Sequence, residues 1–272
     1  MTQRLTDKVA IITGAGSGIG RATARLWASE GARLVLGDLN ESVHETAAAI
    51  RGDGGQATAL RMDAGQEEDV AALVKAATST HGRLDIAYAN AGVSGGLPGI
   101  FEHTVAEWQQ ILNTNLVGPW LLIKHAGQAM MARTAKAGGV GAILCTASVA
   151  GIRSGAGCPA YSASKAGVIN LVKVAAQQLS GTGIRVNAIC PGLVESGMTE
   201  PVFTYARGAG KEDRIGRLNP LRRAGVPHEI AELALFLASD AASYVNGQAI
   251  AADGGLSSSL PVTRQETGKT AA

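Results

Sequence analysis

The amino-acid sequence predicts an α/β protein with a doubly wound, seven-stranded parallel sheet and helices on both faces, in a single domain. Short runs rich in β-branched residues alternate along the chain with longer segments of helical spacing. The short runs are continuously apolar, as in strands buried on both faces of a parallel sheet. No Pro/Ser-rich linker divides the 272 residues, and one domain of this length can bury most of its apolar surface.

The predicted strands follow one another at regular intervals, at residues 8–13, 33–38, 57–62, 84–90, 140–147, 184–190 and 248–252. The segments between them have the spacing of helices with one apolar face, as at Val70, Leu73, Val74 and Ala77. Helical connections make the strands parallel, with right-handed crossovers, and ligands of such sheets bind beyond the carboxyl ends of the strands. We therefore expect the functional residues directly after strands.

The regular pattern ends after the sixth predicted strand. Residues 191–221 show no strand and only weak helical spacing, and so long an insert predicts a lid or a binding loop. We assign the substrate lid to residues 193–221, within a catalytic domain that spans residues 1–256. Residues 257–272 are Ser/Thr-rich and charged, which predicts a flexible, polar C-terminal tail.

Composition argues against several classes of protein. The 24 basic and 22 acidic residues are interspersed without a Lys/Arg run, which disfavours nucleic-acid and membrane binding. Cys145, Cys158 and Cys190 are far apart and form no C-x-x-C pair, so we expect reduced thiols in a cytoplasmic protein. The apolar stretch at residues 9–12 is too short for a secretory signal. The five histidines have no metal-ligand spacing, and we expect no metal.

A glycine-rich turn, T-G-A-G-S-G-I-G at residues 13–20, joins the first predicted strand to a helix that we expect to begin near Arg21. Glycines remove the Cβ atoms that would hold a phosphate away, and a helix N-terminus offers N–H groups and a favourable dipole. The spacing departs from G-x-G-x-x-G because position 19 is Ile. The turn alone is also compatible with a purely structural role.

Asp38 strengthens the interpretation of this turn as a dinucleotide site of the Rossmann type. It ends the second predicted strand, where such a site places the acid that accepts hydrogen bonds from the ribose hydroxyls. A carboxylate here would repel the 2′-phosphate of NADP, and neither Ser17 nor Leu39 supplies an arginine to attract it. We therefore predict NAD as the cofactor. Asp63 ends the third strand similarly and either accepts from the adenine amino group or caps the next helix.

Tyr161 and Lys165 form a candidate proton-handling pair. Their i, i+4 spacing places both on one face of a helix whose first turn contains Pro159. An ammonium and the positive nicotinamide of NAD⁺ would favour the phenolate of a tyrosine, which is otherwise a poor base at neutral pH. Ser148 follows the fifth predicted strand, and its hydroxyl could hydrogen-bond a substrate oxygen.

These residues together resemble the single-domain branch of the short-chain dehydrogenase/reductase family. The resemblance covers residues 8–255 and rests on motifs that occur in the order typical of the family. Residues 13–20 match T-G-x-x-x-G-x-G, Asn90-Ala91-Gly92 matches most of N-N-A-G, and Asn115 is the helical asparagine. The catalytic set is matched by Ser148, Tyr161 and Lys165, and the P-G turn by Pro191-Gly192. Two departures are Ala89, in place of the first Asn of N-N-A-G, and Ser196, in place of a usual Thr.

The resemblance implies a role for each catalytic residue. Tyr161 donates or removes the hydroxyl proton, Lys165 holds the nicotinamide ribose and lowers the pKa of the tyrosine, and Ser148 positions the carbonyl. Asn115 would hold a water that connects Lys165 to solvent. The family also implies a homotetramer. The predicted cofactor contacts are Gly14, Ser17, Gly18, Ile19, Asp38, Leu39, Asp63, Ala64, Asn90, Ala91, Gly92, Tyr161, Lys165, Pro191, Gly192, Val194 and Ser196.

We therefore predict an NAD(H)-dependent oxidoreductase that interconverts a hydrophobic secondary alcohol and its ketone. Residues 94–98, 149–158 and 193–205 supply the small or apolar side chains expected of the substrate pocket. Arg153 within them either grips a substrate carboxylate or is solvated. One alternative is a 3-oxoacyl-carrier-protein reductase using NADPH, against which Asp38 argues. Another is a non-catalytic NAD-binding protein, which the complete catalytic set disfavours.

Overall fold

The computed structural model describes residues 3–137 and 141–259. Its strands are β1 (Val9–Thr13), β2 (Arg33–Asp38), β3 (Gln56–Arg61), β4 (Ile86–Ala89), β5 (Gly141–Thr146), β6 (Ile184–Pro191) and β7 (Ala249–Ala252). All seven predicted strands are therefore present, within two residues of the predicted ends. Residue 140, where the fifth was expected to begin, lies outside the described residues.

The sheet is entirely parallel and has the order β3-β2-β1-β4-β5-β6-β7. The chain moves outward from β1 to β3, then returns to place β4 on the other side of β1. This reversal opens a crevice between the carboxyl ends of β1 and β4, which is where ligands bind in doubly wound sheets. The glycine-rich turn and Asn90 follow these two strands.

Helices cover both faces of the sheet, as predicted. They are α1 (Gly18–Ser29), α2 (Ser42–Gly52), α3 (Glu67–His81), α4 (Val105–Leu112), α5 (Gly118–Ala137), α6 (Pro159–Gln178), α7 (Glu200–Gly208) and α8 (Pro227–Ala238). One core layer packs α3, α5 and α6 against the sheet, and the other packs α1, α2 and α8. None of the helices in the described ranges is long and apolar enough to cross a bilayer.

Strand β1 shows why the strands are continuously apolar. Val9 and Ile11 enter the core beneath α3 and α5, whereas Ala10 and Ile12 enter the core beneath α1 and α8. All four side chains are fully buried because successive strand residues point to opposite faces and both faces are covered.

The lid region differs from its prediction, because it contains a helix. Helix α7 has Pro201 in its first turn, and Phe203 is the side chain that it buries. The single large buried side chain explains why the sequence showed only weak helical spacing.

Near the end of the described residues, the amide of Ser257 donates to Asp253 Oδ2 at 2.7 Å. Most of the predicted tail, residues 260–272, lies outside the described residues.

Candidate active site

The glycine-rich turn is packed tightly against the turn that follows β4. A Cβ on Gly20 would lie 2.0 Å from the carbonyl oxygen of Gly14, and a Cβ on Gly14 would lie 2.7 Å from Ala91 Cα. Gly14 and Gly18 have φ angles of +67° and +51°, which favour glycine. Helix α1 begins at Gly18, three residues earlier than expected, because the turn itself forms its first residues. The cradle fits a pyrophosphate at a helix N-terminus.

Gly20→Ala tests this cradle. The added methyl group cannot fit 2.0 Å from a main-chain oxygen, so the turn must open, and we expect dinucleotide binding to weaken at least about 10-fold because the amides no longer converge. Gly52→Ala is the matched control, since no atom lies within 4 Å of its added Cβ. Fluorescence titration with NADH measures both variants. Unchanged binding in Gly20→Ala would contradict the assignment.

The Asp38 carboxylate is fixed at the mouth of the same turn. Its Oδ2 accepts from the amide of Gly16 at 2.8 Å, and its Oδ1 accepts from the amide of Asn40 at 2.9 Å. A Cβ on Gly16 would lie 2.9 Å from Oδ2. The carboxylate is thus held at the glycine-rich turn. Because Oδ1 also accepts from Asn40 Nδ2 at 3.3 Å, the lone pair that remains for a further donor lies on Oδ2. The ribose contact remains a prediction.

Asp63 does not cap the following helix, so that alternative was wrong. The N-cap of α3 is Gln66, and Asp63 Oδ1 instead accepts from the amide of Gly65 at 2.8 Å. The amide of Asp63 donates to Asp69 Oδ2 at 2.8 Å. The adenine contact remains a prediction for Asp63 and for Ala64, which is nearly buried at 9% exposure.

Thr13 joins the ends of β1 and β4. Its hydroxyl oxygen accepts from the amides of Asn90 and Ala91 at 3.1 and 3.2 Å, and Asn90 Nδ2 donates to the carbonyl oxygen of Gly14 at 3.1 Å. A Cβ on Gly92 would lie 3.5 Å from Lys165 Nζ. The segment Asn90–Gly92 therefore lies between the glycine-rich turn and Lys165. Ala89 is buried in the sheet, so the departure at this position leaves these contacts intact.

The structure brings Ser148, Tyr161 and Lys165 together at the carboxyl end of β5. Tyr161 and Lys165 lie on α6, with Lys165 Nζ 5.6 Å from the centre of the tyrosine ring. Nζ donates to the carbonyl oxygen of Thr146, the last residue of β5, at 2.8 Å. The Ser148 side chain accepts from the amide of Ala150 at 3.1 Å. The predicted proton-handling set is thus one spatial cluster.

Burial dominates the electrostatics of this cluster. Burial raises the pKa of the Tyr161 phenol, and hydrogen bonding with Ser148 offsets only part of that effect. Burial also lowers the pKa of Lys165 to about 8. The expected lowering of the tyrosine pKa is therefore not produced by the protein groups alone. A bound positive charge would be needed to favour the phenolate.

The buried Lys165 makes a pH-dependent stability prediction. Its pKa is lowered in the folded chain from 10.5 to about 8, so between these pH values the unfolded chain binds a proton that the folded chain does not. Stability then rises with pH. We expect the stability of Lys165→Met relative to wild type to increase by on the order of 3 kcal/mol as pH falls from 10.5 to 8.

Urea unfolding at several pH values measures this difference. The exposed Lys173 of the same helix provides the control variant Lys173→Met. A stability difference between Lys165→Met and wild type that does not vary with pH would contradict the buried cation.

Asn115 lies in a π-helical turn, Asn113–Val117, between α4 and α5. Its side chain is fully buried, accepting from the amide of Val93 at 2.8 Å and donating to the carbonyl oxygen of Val93 at 2.9 Å. Its Nδ2 also reaches Ser164 Oγ at 3.3 Å. Single π-turns are frequent at functional sites. The amide therefore fixes the β4 loop against α6, while the water that it was expected to hold remains a prediction.

Residues 191–196 close the crevice from the other side. A Cβ on Gly192 would lie 2.8 Å from Asp253 Cα, and a Cβ on Gly18 would lie 3.2 Å from Ser196 Cβ. Ser196 therefore packs against the glycine-rich turn at Gly18. Val194 is buried at 4% exposure, so its side chain belongs to the core, whereas Leu39 is 58% exposed beside Asp38.

Three threonines support the site and were not singled out from the sequence. From the sequence, Thr13 was identified only as the first position of the T-G-x-x-x-G-x-G motif. Thr199 accepts from the amide of Ser196 at 3.0 Å and donates to the carbonyl oxygen of Val194 at 2.5 Å. Thr146 accepts from Lys165 through its main chain. The T-G spacing could have indicated Thr13, but no sequence signal distinguishes Thr146 or Thr199 from other threonines.

The predicted substrate side of Tyr161 is apolar. Tyr161 and Trp108 pack against a cluster formed by Ile111, Cys158 and Ala160. Gly95 has a φ of +70°, which favours glycine, and a Cβ there would lie 2.4 Å from Ile111 Cδ1, so the end of that side chain would have to shift. Arg153 donates to the carbonyl oxygens of Leu256 and Ser259. These two bonds occupy Nη1 of the guanidinium, and the carboxylate contact of Arg153 remains a prediction.

Comparisons with known proteins agree with this geometry. The family model described as "Enoyl-(Acyl carrier protein) reductase" matches residues 14–257. The cis-4-hydroxycyclohexanecarboxylate dehydrogenase of Sinomonas cyclohexanicum is 40% identical over 255 residues, which cover 94% of this chain and 98% of that protein. The 3-oxoacyl-[acyl-carrier-protein] reductase of Thermotoga maritima is 37% identical over 254 residues, covering 93% of this chain and 99% of that protein.

Among solved structures, levodione reductase superposes with a TM-score of 0.88 at 35% sequence identity, covering 94% of this chain and 100% of that one. The similarity therefore extends over nearly the whole chain, and the named relatives are dehydrogenases or reductases. The chain belongs to the short-chain dehydrogenase/reductase family of oxidoreductases.

Proposed function

We propose that this protein is an NAD(H)-dependent oxidoreductase that interconverts an apolar, cyclic secondary alcohol and its ketone. The observation that carries the proposal is the convergence of Ser148, Tyr161 and Lys165 at the end of β5, beside a glycine cradle whose mouth holds Asp38. A dinucleotide in the cradle would run from Asp38, past the turn, toward Lys165.

The chemistry requires a hydride and a proton to leave the alcohol together. A nicotinamide dinucleotide held by the glycine-rich turn, Asp38 and Lys165 would supply the acceptor for the hydride and its electron pair from the carbinol carbon. Tyr161 accepts the hydroxyl proton at its phenolic oxygen, and the C–O bond becomes the carbonyl. Ser148 donates a hydrogen bond to the substrate oxygen and holds it beside the phenol. In the ketone direction Tyr161 returns the proton.

Lys165 acts on this chemistry through position and charge. Its ammonium lies beneath the tyrosine ring and beside Gly92, where a nicotinamide ribose would rest. The residues predicted to line the nicotinamide, Pro191, Gly192 and Ser196, form the opposite wall. Lys165 is buried and Tyr161 is partly buried, which limits the access of water to the reacting atoms and strengthens their electrostatic interaction.

The raised pKa of Tyr161 gives the two directions opposite pH dependence. The phenol stays protonated at neutral pH, so ketone reduction, which needs the acid, should be fast at neutral pH and fall only at high pH. Alcohol oxidation needs the phenolate and should rise with pH. Initial rates in both directions from pH 6 to 10 measure this. Two rates that rise in parallel with pH would contradict Tyr161 as the proton donor.

Two observations support an apolar, ring-shaped substrate. The wall beside Tyr161 consists of Ile111, Cys158 and Ala160, and Arg153 is held by main-chain carbonyls. The similar dehydrogenase from Sinomonas carries a cyclohexane ring, bearing a carboxylate, in the name of its substrate. We therefore expect six-membered-ring alcohols to fit best.

The test is a substrate panel, read at the absorbance of reduced nicotinamide with NAD(H) and NADP(H) in parallel. We expect turnover of cyclohexanols and cyclohexanones with NAD(H). Turnover of 3-oxoacyl thioesters with NADPH, and of none of the ring compounds, would instead support the carrier-protein reductase that the Thermotoga relative suggests. Nucleotide binding without turnover of any member would support a non-catalytic protein.

The assembly and location belong to the same proposal. We propose a cytoplasmic homotetramer, because α5 and α6 carry apolar side chains on their outer faces, including Trp120 at 45% and Val174 at 43% exposure. Sedimentation of the purified chain tests the assembly. A monomer with full activity would contradict it.

A further inference from the structure

A chain of hydrogen bonds runs beneath the proposed site from β4 to the phosphate turn. The hydroxyl of Thr146 lies 2.8 Å from the Tyr88 hydroxyl and 3.1 Å from Asn90 Oδ1. Asn90 Nδ2 in turn donates to the carbonyl oxygen of Gly14 at 3.1 Å. The main-chain oxygen of the same threonine accepts from Lys165 Nζ at 2.8 Å. Thr146 therefore contacts both halves of the site.

The direction of each hydrogen bond in this chain is fixed by chemistry. The carbonyl oxygen of Gly14 can only accept, so the Asn90 amide must turn its NH₂ group toward it and its oxygen toward Thr146. That oxygen can only accept, so the single hydroxyl hydrogen of Thr146 points at Asn90. Tyr88 must then donate to Thr146 Oγ1.

Tyr88 is suited to that donor role. Its side chain is fully buried, and burial raises the pKa of its phenol well above the ordinary value. The phenol therefore keeps its hydrogen at neutral pH, and its oxygen lies 2.8 Å from Thr146 Oγ1. Hydrogen bonds linked donor to acceptor in this way polarise and strengthen one another.

The orientation of the Asn90 amide matters because its two ends have nearly the same shape. Partner chemistry alone decides which end faces Gly14. Without the Thr146 hydroxyl, the amide loses the donor that holds its oxygen away, and a reversed amide would set two oxygens against each other at the phosphate turn. The Asn90 amide is packed closely against Gly20, since a Cβ on Gly20 would lie 2.7 Å from Asn90 Nδ2.

We infer that Thr146 is a positioning residue. Its hydroxyl accepts a hydrogen bond from Tyr88 and donates one to Asn90, and this bond orients the Asn90 amide and so holds the glycine-rich turn in its dinucleotide-binding form. This inference rests on the proposed function for the identity of the ligand. The Thr146 hydroxyl bonds to Tyr88 and Asn90 and not to the proposed catalytic side chains. Its main-chain bond to Lys165 does not depend on its side chain, so the hydroxyl should affect cofactor binding and leave the proton chemistry alone.

Thr146→Val and Thr146→Ser form the matched pair for the test. Valine keeps the shape and removes the hydroxyl, whereas serine keeps the hydroxyl. We expect Thr146→Val to weaken NADH binding about 5- to 10-fold in a fluorescence titration, as the loss of an oriented hydrogen bond does. Thr146→Ser should bind within about twofold of wild type. The KM for the cofactor should rise in Thr146→Val with kcat at saturation within about twofold.

Tyr88→Phe adds an intermediate point, because it removes the donor to Thr146 but leaves the Thr146–Asn90 bond. Its binding defect should be smaller than that of Thr146→Val. Equal weakening by valine and serine would overturn the inference, since the cause would then be packing and not the hydroxyl. Wild-type affinity in Thr146→Val would overturn it as well.

Hydrogen exchange separates this inference from the proposed function and also serves if a variant folds poorly. We expect the amides of residues 14–20 and 90–92 to exchange faster in Thr146→Val without nucleotide, while the strands keep their wild-type protection. Uniformly faster exchange across the sheet would show general destabilisation and overturn the inference. If wild type binds neither NADH nor NADPH, the proposed function fails, and the exchange result still decides the role of Thr146.

Discussion

Tyr161→Phe should lose at least about 10³-fold in turnover, within the range of positioned acid–base groups, while it retains NADH binding. The substitution removes one oxygen atom from a ring that is packed against Ile111, Cys158 and Ala160, so the wall of the site stays in place. In the proposed mechanism, the lost oxygen is the one that exchanges the proton with substrate. Steady-state rates with a cyclohexanol and a fluorescence titration with NADH measure the two effects separately.

Tyr244→Phe is the control for this prediction. Tyr244 is fully exposed and lines a surface cavity near the amino ends of the strands, with Gly141, Ile184 and Asn246, so its loss should leave turnover unchanged. If Tyr161→Phe keeps more than about a tenth of wild-type turnover, another group moves the proton. If it loses NADH binding in proportion to turnover, the ring shapes the cofactor site and the catalytic role is not established.

The sheet could be predicted from sequence because its signals are local and repeated. Each strand is a continuous apolar run, as at residues 9–12, and each connection shows the spacing of one buried helix face. Asp38 was likewise identifiable because a carboxylate at the end of the second strand has a defined distance from the glycine turn along the chain. The structure places it there.

Other parts of the site depend on contacts between distant residues. Helix α7 buries one large side chain, Phe203, and therefore shows no apolar stripe in the sequence. The Asp63 carboxylate accepts from the amide of Gly65 and does not cap the amino end of α3, because this helix begins four residues later, at Glu67. The Thr146 hydroxyl acts on Asn90, 56 residues away. A single sequence carries no sign of which residues will meet across neighbouring strands.

The pKa of Tyr161 shows a further limit of sequence reasoning. The spacing of Tyr161 and Lys165 predicts proximity, and proximity to a cation normally lowers the pKa of a phenol. Burial of both groups reverses the expectation, since it raises the pKa of the tyrosine and lowers that of the lysine. Burial depends on the packing of the entire site, so the sign of the net effect required the structure.

Asp38→Asn should shift the ratio of kcat/KM for NAD over NADP by about 10²-fold or more toward NADP. A carboxylate and a 2′-phosphate about 4 Å apart repel each other by about 4 kcal/mol per unit charge at an effective dielectric constant of 20, an upper estimate for this solvated edge. Loss of a charged acceptor for the ribose hydroxyls also costs NAD about 2 kcal/mol. Both effects act in the same direction.

Asparagine is the informative replacement because it removes the charge at nearly constant size. Its oxygen can still accept from the Gly16 amide, which Asp38 Oδ2 now does at 2.8 Å, while its NH₂ group gives up the bond from the Asn40 amide and can donate to a phosphate. Glu41→Gln is the matched control: it removes the same charge from a carboxylate three residues away whose side chain is 72% exposed. Kinetics with both cofactors at low and high salt separate the contributions, since only the repulsion is screened. An equal shift in both variants would mean that net charge around the site, rather than Asp38, selects the cofactor.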